Sequence, residues 1–180
     1  MNIYIMRHGT TVWNEKGITQ GRTNNRLSSN GKQLTETIAK KYQSTKFDII
    51  FTSPLMRTMQ TSNIMNKYHK TKIIKDERLI EIEQGIFTGR SKFDLTDKEI
   101  KLKNARDKSC KMESYESVYK RTQDFINDLK TNYEVENVLI ITHNVNSSFI
   151  EDIFLNINVD FSNNEHLRRF KNAEIKKFII

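Results

Sequence analysis

The sequence predicts an α/β fold, a three-layer α/β/α sandwich around a mostly parallel central sheet. Apolar runs of strand length, Asn2–Met6, Asp48–Thr52 and Asn137–Thr142, alternate with stretches of helical character. Alternation of this kind gives parallel strands whose intervening helices cover both faces of the sheet. Such sheets bind ligands at the C-terminal ends of their strands. The runs end close to Arg7-His8, Arg57 and His143, so side chains distant in sequence are expected to meet at one sheet edge.

Each element has its own justification. Asn2 to Met6 alternates into a strand that ends at Arg7, and Gly31 to Tyr42 reads as a helix. Asp48 to Thr52 is a strand stopped by Ser53-Pro54. The only proline can serve as a first helical residue with Ser53 as N-cap, which predicts a helix over Leu55 to Tyr68. Lys72 to Lys75 is a short strand. Ser91 to Met112 is lysine-rich and weakly patterned, a partly helical excursion. Val118, Phe125, Ile126 and Leu129 lie at helical spacing within a helix over Tyr115 to Asn132. Asn137 to Thr142 is the strongest buried-strand signal, Asn144 to Leu155 the helix after it, and Glu174 to Ile180 a last strand. The chain reads as one domain over residues 1–180 with a cap-like excursion around 85–112, without repeat or linker.

Composition narrows the function classes. No apolar run approaches membrane-spanning length, and Arg7 interrupts the first one too early for a secretory segment. One cysteine, Cys110, excludes an internal disulfide and fits a reducing cytosol, so a cytoplasmic protein is expected. Thirty Lys plus Arg against 22 Asp plus Glu give a formal charge of +8. The basic residues are scattered and not interleaved with aromatics, which argues against a nucleic-acid partner and for mild attraction of small anions. Nothing in the pattern specifies an oligomeric state.

Arg7-His8-Gly9 at the end of the first strand sets an imidazole beside a guanidinium on a tight turn. Phosphoryl transfer asks for a nucleophile, positive charge on the equatorial oxygens and a proton for the leaving oxygen. His8 can be the nucleophile and form a phosphohistidine. Arg7 and Arg57 offer paired donors for a phosphate. His143, at a strand-to-helix turn, can donate another, helped by helix-start amides. Two arginines replace the need for a metal or cofactor. His8 and His143 could instead be metal ligands, but no acidic cluster or further histidine is placed to complete such a site. The acid should be a carboxylate of raised pKa, and Arg78-Leu79-Ile80-Glu81-Ile82-Glu83-Gln84-Gly85 offers Glu81 and Glu83. Glu83 reads as a solvated charge beside a strand. His69 and His166 lie in polar surroundings and read as surface residues.

These motifs, taken together, resemble the histidine phosphatase superfamily, in its phosphoglycerate-mutase-like branch, over nearly the whole chain. Arg7-His8-Gly9-x-Thr11-x-x-Asn14 resembles the nucleophile motif, which implies that His8 is phosphorylated and that Asn14 touches the phosphate. Gln20-Gly21-Arg22, with Leu27-Ser28 and Gly31, resembles the substrate-side loop, so Gly21 and Arg22 are candidate substrate contacts. Thr52-Ser53-Pro54-Leu55-x-Arg57-x-x-Gln60-Thr61 resembles the second-arginine motif, and Leu79-x-Glu81-Ile82-x-x-Gly85 with Gly89 the acid motif, which selects Glu81. Glu113-Ser114 with Arg121 resembles the opening of the next long helix, and Thr142-His143 the second-histidine motif. Asn144 stands where the family often has glycine and is a further candidate contact; asparagine tolerates left-handed backbone, which would preserve the turn. Asn24 stands for a common aspartate and Phe87 for a frequent tryptophan.

The resemblance implies a metal-independent phosphomonoesterase acting on a small phosphorylated metabolite. Thr11, where the mutases usually have serine, and a length of 180 residues both resemble the phosphatases. A phosphoglycerate mutase and a non-catalytic phosphoester-binding module are the alternatives.

Overall fold

The computed structural model describes residues 1–162, 167 and 170–180. Five strands form one sheet: β1 (Asn2–Arg7), β2 (Ile49–Thr52), β3 (Ile73–Lys75), β4 (Asn137–Thr142) and β5 (Ile175–Ile179), in the order β3-β2-β4-β1-β5. The first four run parallel, and β5 pairs antiparallel with β1 at the edge. The helices are α1 (Val12–Glu15), α2 (Ser29–Lys41), α3 (Met56–Met65), α4 (Asp97–Asn104), α5 (Tyr115–Asn132) and α6 (Asn144–Phe154).

Alternation along the strands divides the core into two halves. Ile3 and Ile5 of β1, with Val138 and Ile140 of β4, meet Phe125, Ile126 and Leu129 of α5 and Ile150 of α6. Tyr4 and Met6, with Leu139 and Ile141, turn the other way toward Ala39 of α2 and Met65 of α3. The three-layer sandwich expected from the sequence is therefore the observed architecture. Register then aligns the strand ends: Arg7 pairs with Thr142 and Thr52 with Ile141. The residues that follow, His8, His143 and Ser53, leave the sheet side by side.

One local expectation is corrected. Helix α3 begins two residues later than a Ser53 cap and Pro54 start would give, with Leu55 as its N-cap and no side-chain cap of its own. Asn24, from a distant loop, supplies the missing acceptor, taking the Met56 amide at 2.6 Å. The segment after Arg7-His8-Gly9 also contains the short helix α1, closed by a capping box between Thr11 and Asn14. The weakly patterned excursion does fold, as α4 capped by Thr96 and a 3₁₀ turn at Lys108–Cys110.

Two glycines mark close backbone approaches. A Cβ on Gly31 of α2 would lie 1.9 Å from the Thr10 carbonyl oxygen. Gly85, at φ +51°, would set its Cβ 1.9 Å from the Cys110 carbonyl oxygen, which locks the acid-bearing loop against residues 108–111. Among the described residues no helix is long and apolar enough to cross a membrane.

Candidate active site

The site lies at the C-terminal ends of β1, β2 and β4. His8 is buried, with its amide bonded to the Thr142 oxygen and its ring Nδ1 2.7 Å from the Gly9 oxygen. A carbonyl can only accept, so Nδ1 carries the proton and Nε2 keeps its lone pair. Burial, then the charges of Arg57 and Arg7, hold the His8 imidazole well below its ordinary pKa, so it is neutral at physiological pH. The Gly9 amide donates to Thr61 Oγ1 at 3.0 Å, which ties the His8-Gly9 turn to α3.

Arg57 is fully buried and oriented on three sides. Its Nη2 donates to the Gly21 oxygen at 2.9 Å, its Nη1 to the Thr23 oxygen at 2.8 Å and its Nε to His143 Nδ1 at 3.2 Å. Burial lowers its pKa to about 10, against the opposing charge of Glu81, so it stays cationic at neutral pH. Arg7 donates through Nη1 to the Phe170 oxygen at 2.5 Å, and its buried Nε–H has no partner among the described residues.

His143 is buried, and its ring centroid lies 5.2 Å from that of His8. Because Nδ1 accepts from Arg57, Nε2 carries the proton, and it donates to Ser53 Oγ at 2.8 Å. Both ring nitrogens are thus engaged by protein; a direct bond from His143 to a phosphate requires Ser53 to be exchanged for the ligand. Asn144, the next residue, starts α6 in ordinary right-handed conformation and is absent from the positive-φ residues, so left-handed tolerance is not what it supplies. Its Oδ1 is buried without a partner among the described residues.

Leu79 and Ile82 are fully buried on either side of Glu81 and fix its segment. Thr142 Oγ1 donates to the Leu79 oxygen at 2.8 Å, and Arg22 Nε to the Glu81 oxygen at 3.1 Å. Burial raises the Glu81 pKa, opposed by Arg57, the Ile82 amide, Arg7 and Arg121. Glu83 is not the solvated charge expected: its Oε1 accepts from the amides of Gln84 (2.7 Å) and Gly85 (3.1 Å) and so closes the turn.

The remaining sequence candidates fall around this centre in unequal ways. Asn14 spends Oδ1 on the Thr11 amide and hydroxyl, which leaves Nδ2 as the end able to reach a phosphate. Gly21 acts through its carbonyl on Arg57, and Arg22 pairs with Glu113 at 3.0 Å. Glu113 also holds Arg121 at 3.1 Å. His69 is half-buried at the surface; its ring packs edge-on to Phe47 at 4.9 Å, far from the site at the other end of the sheet, and its Nε2 is buried with no partner among the described residues. His166 lies outside the described residues. Sequence reasoning missed Asn172, which donates to the His8 oxygen at 3.1 Å and to Asn14 Oδ1 at 3.4 Å. No motif flagged it, since only the antiparallel return into β5 brings it there. Among the described residues no group of three His, Cys, Asp or Glu side chains converges as metal ligands.

Residues 3–179 match the model of the histidine phosphatase superfamily, branch 1. The chain belongs to that family. Phosphoserine phosphatase 1 of Hydrogenobacter thermophilus is 26% identical over 151 residues, covering 81% of this chain and 72% of that enzyme. Among solved structures, YhfR of Bacillus stearothermophilus superposes with a TM-score of 0.86 at 22% identity, over 98% of this chain and 89% of the other. An α-ribazole phosphatase from Shigella flexneri superposes with a TM-score of 0.85 at 18% identity, over 100% and 91%. These two likenesses speak for the fold, which this member of the superfamily shares with them.

Proposed function

We propose that this histidine phosphatase is a metal-independent phosphomonoesterase that hydrolyses a small phosphorylated metabolite through a phosphohistidine on His8. The observation that carries the reading is the tautomer of His8: with Nδ1–H committed to the Gly9 oxygen, Nε2 is a neutral, oriented nucleophile between two arginines. Its phosphatase relative supports hydrolysis as the outcome.

Nε2 of His8 attacks phosphorus in line with the ester oxygen, and the P–O bond breaks. The open Nε–H of Arg7 and the uncommitted N–H groups of Arg57 take up the charge on the equatorial oxygens. Protonated Glu81 gives its proton to the leaving alcohol. Glu81, now a carboxylate, takes a proton from water as that water attacks phosphorus; the N–P bond breaks, phosphate leaves, and Glu81 is protonated again. Asn14, Arg22 and Asn144 are read as substrate contacts and Gly21 as the carbonyl that aims Arg57. His143 holds the Arg57 fork and, once released from Ser53, donates to the phosphoryl group. Residues 85–112 are read as a cap within one functional unit spanning 1–180, in a cytoplasmic setting that suits the single Cys110.

Release of phosphate from p-nitrophenyl phosphate with EDTA present, comparing the wild type with His8→Ala, tests the reading. Turnover should survive EDTA and vanish in the variant. Near-wild-type turnover by His8→Ala rules out the phosphohistidine. Interconversion of phosphoglycerates primed by 2,3-bisphosphoglycerate, without net phosphate release, would make the protein a mutase.

A further inference from the structure

The turn at residues 170–174, which leads into β5, supplies no group to the reaction, yet it is bonded repeatedly to Arg7-His8. Arg7 donates through Nη1 to the Phe170 oxygen and through its amide to the Glu174 oxygen at 3.2 Å. The Ala173 amide lies between the Arg7 and His8 oxygens, at 3.1 and 3.2 Å. Ala173 reaches that place at φ +60°, in the left-handed region that an L side chain seldom adopts. Strain of this kind persists only where the surrounding structure imposes it, and it gathers beside reacting groups.

Asn172 stands in the middle of this turn. Its Nδ2 donates to the His8 oxygen at 3.1 Å and to Asn14 Oδ1 at 3.4 Å. Two acceptors face it, and a primary amide has one N–H for each. The peptide joining His8 to Gly9 is thereby gripped at both edges. Its oxygen takes Asn172 and Ala173, and its N–H goes to Thr61 Oγ1 at 3.0 Å. The next carbonyl, that of Gly9, is the one that holds the His8 ring through Nδ1. The orientation of the gripped peptide therefore bears on where Nε2 points. At Asn14 the same amide joins the Thr11 N–H on Oδ1, which keeps Nδ2 as the end able to reach a phosphate.

We propose that Asn172 is a positioning residue for phosphoryl transfer, its one amide coupling the main chain of the nucleophile to the side chain that meets the transferred phosphate. The proposal rests on the phosphatase reading above and adds to it a residue that acts only through His8 and Asn14. An aspartate of the same shape cannot serve, since its carboxylate turns an acceptor toward two acceptors already in place.

Steady-state hydrolysis of p-nitrophenyl phosphate at neutral pH, with inhibition by inorganic phosphate and by vanadate, tests it. Vanadate imitates the five-coordinate phosphorus of in-line transfer and so feels the placement of Nε2, whereas phosphate reports ground-state binding. Asn172→Ala and the isosteric Asn172→Asp should each lower kcat about tenfold or more and weaken vanadate by about the same factor, while phosphate weakens less than about threefold. A residue that merely stabilised the fold would lower the active fraction, and so kcat, with both inhibition constants unchanged. That result overturns the proposal, as does an Asn172→Asp that works like the wild type. Because the amide serves Asn14 as well as His8, Asn172→Ala should cost less in an Asn14→Ala background than in the wild type; strictly additive losses overturn the coupling. Should neither variant fold, the wild type still decides. The Nδ2 protons of Asn172, each on its own acceptor, should exchange with water more slowly than those of exposed Asn63, and equal exchange overturns the proposal. An active wild type with unimpaired variants strikes down the role of Asn172 alone. A wild type that neither turns over nor binds phosphate or vanadate strikes down the phosphatase reading, and this role with it.

Discussion

Replacing Glu81 by glutamine separates proton donation from everything else the side chain does. Glutamine is nearly isosteric, and its amide oxygen can keep the bond that Oε1 accepts from the Ile82 amide at 2.9 Å. The flanking anchors Leu79 and Ile82 are untouched, so the fold and the arginine pair should persist. Lost is the proton that burial retains on Glu81 above the ordinary carboxylate range. General acid catalysis contributes roughly 10²–10⁴-fold, about 3–5 kcal/mol of barrier, where the leaving group needs a proton. An alkyl phosphate needs it fully; nitrophenolate leaves almost unaided. Glu81→Gln should therefore lose roughly 10²–10⁴-fold in kcat/KM on an alkyl phosphate and less than about tenfold on p-nitrophenyl phosphate. The pH profile gives a second readout. Activity requires Glu81 protonated and His8 neutral; one pKa is raised and the other lowered, so the wild type should be most active on the acidic side of neutrality. The fall toward alkaline pH belongs to Glu81 and should flatten in the variant, while the acid limb, set by His8, should persist. Equal losses on both esters, with the alkaline limb intact, would show that Glu81 is not the acid.

Two other outcomes follow from the packing around the centre. Gly31→Ala drives a methyl into the Thr10 carbonyl, a clash of backbone against backbone that outweighs the gain from alanine's helix propensity; we expect about 2 kcal/mol of destabilisation and a melting temperature lower by roughly 4–8 °C, and an unchanged or higher one would refute the close approach. Ser53→Ala leaves the buried His143 Nε2–H without its acceptor, which should cost about 1–3 kcal/mol in denaturant unfolding, whereas full stability would mean that the ring takes another partner.

The architecture was legible because each strand announces itself twice, by an apolar run and by what ends it. Leu139 and Ile141 face one layer while Val138 and Ile140 face the other, and a run buried on both sides needs no more than its own hydrophobicity to be recognised. His8, Arg57 and His143 were legible as candidates because the strand-end rule brings the three together, whereas Glu81 was separated from Glu83 only by the family resemblance. Their second partners were not. Asn24 caps α3 from 32 residues away, and Asn172 reaches the His8 carbonyl across 164. Glu83 looks like a surface charge in sequence yet folds back on its own amides. An asparagine or glutamate in a polar loop carries no local signature of its distant acceptor, because hydrogen-bond pairing at that separation is a property of the closed fold.

The same distinction explains how the centre stays rigid with few direct constraints. Arg57 is aimed by carbonyls of residues 21 and 23, and that loop is pinned in turn by Asn24 on α3 and by Gln60 of α3, whose Oε1 takes the Leu27 amide at 2.8 Å. The helix that carries the arginine therefore also positions the loop that orients it. A guanidinium is worth most when its fork is fixed before the phosphate arrives, since no reorganisation is then left to the moment of reaction. Asn24 is well suited to that role where an aspartate is common: its amide oxygen accepts the Met56 N–H without adding a negative charge to the loop that orients Arg57.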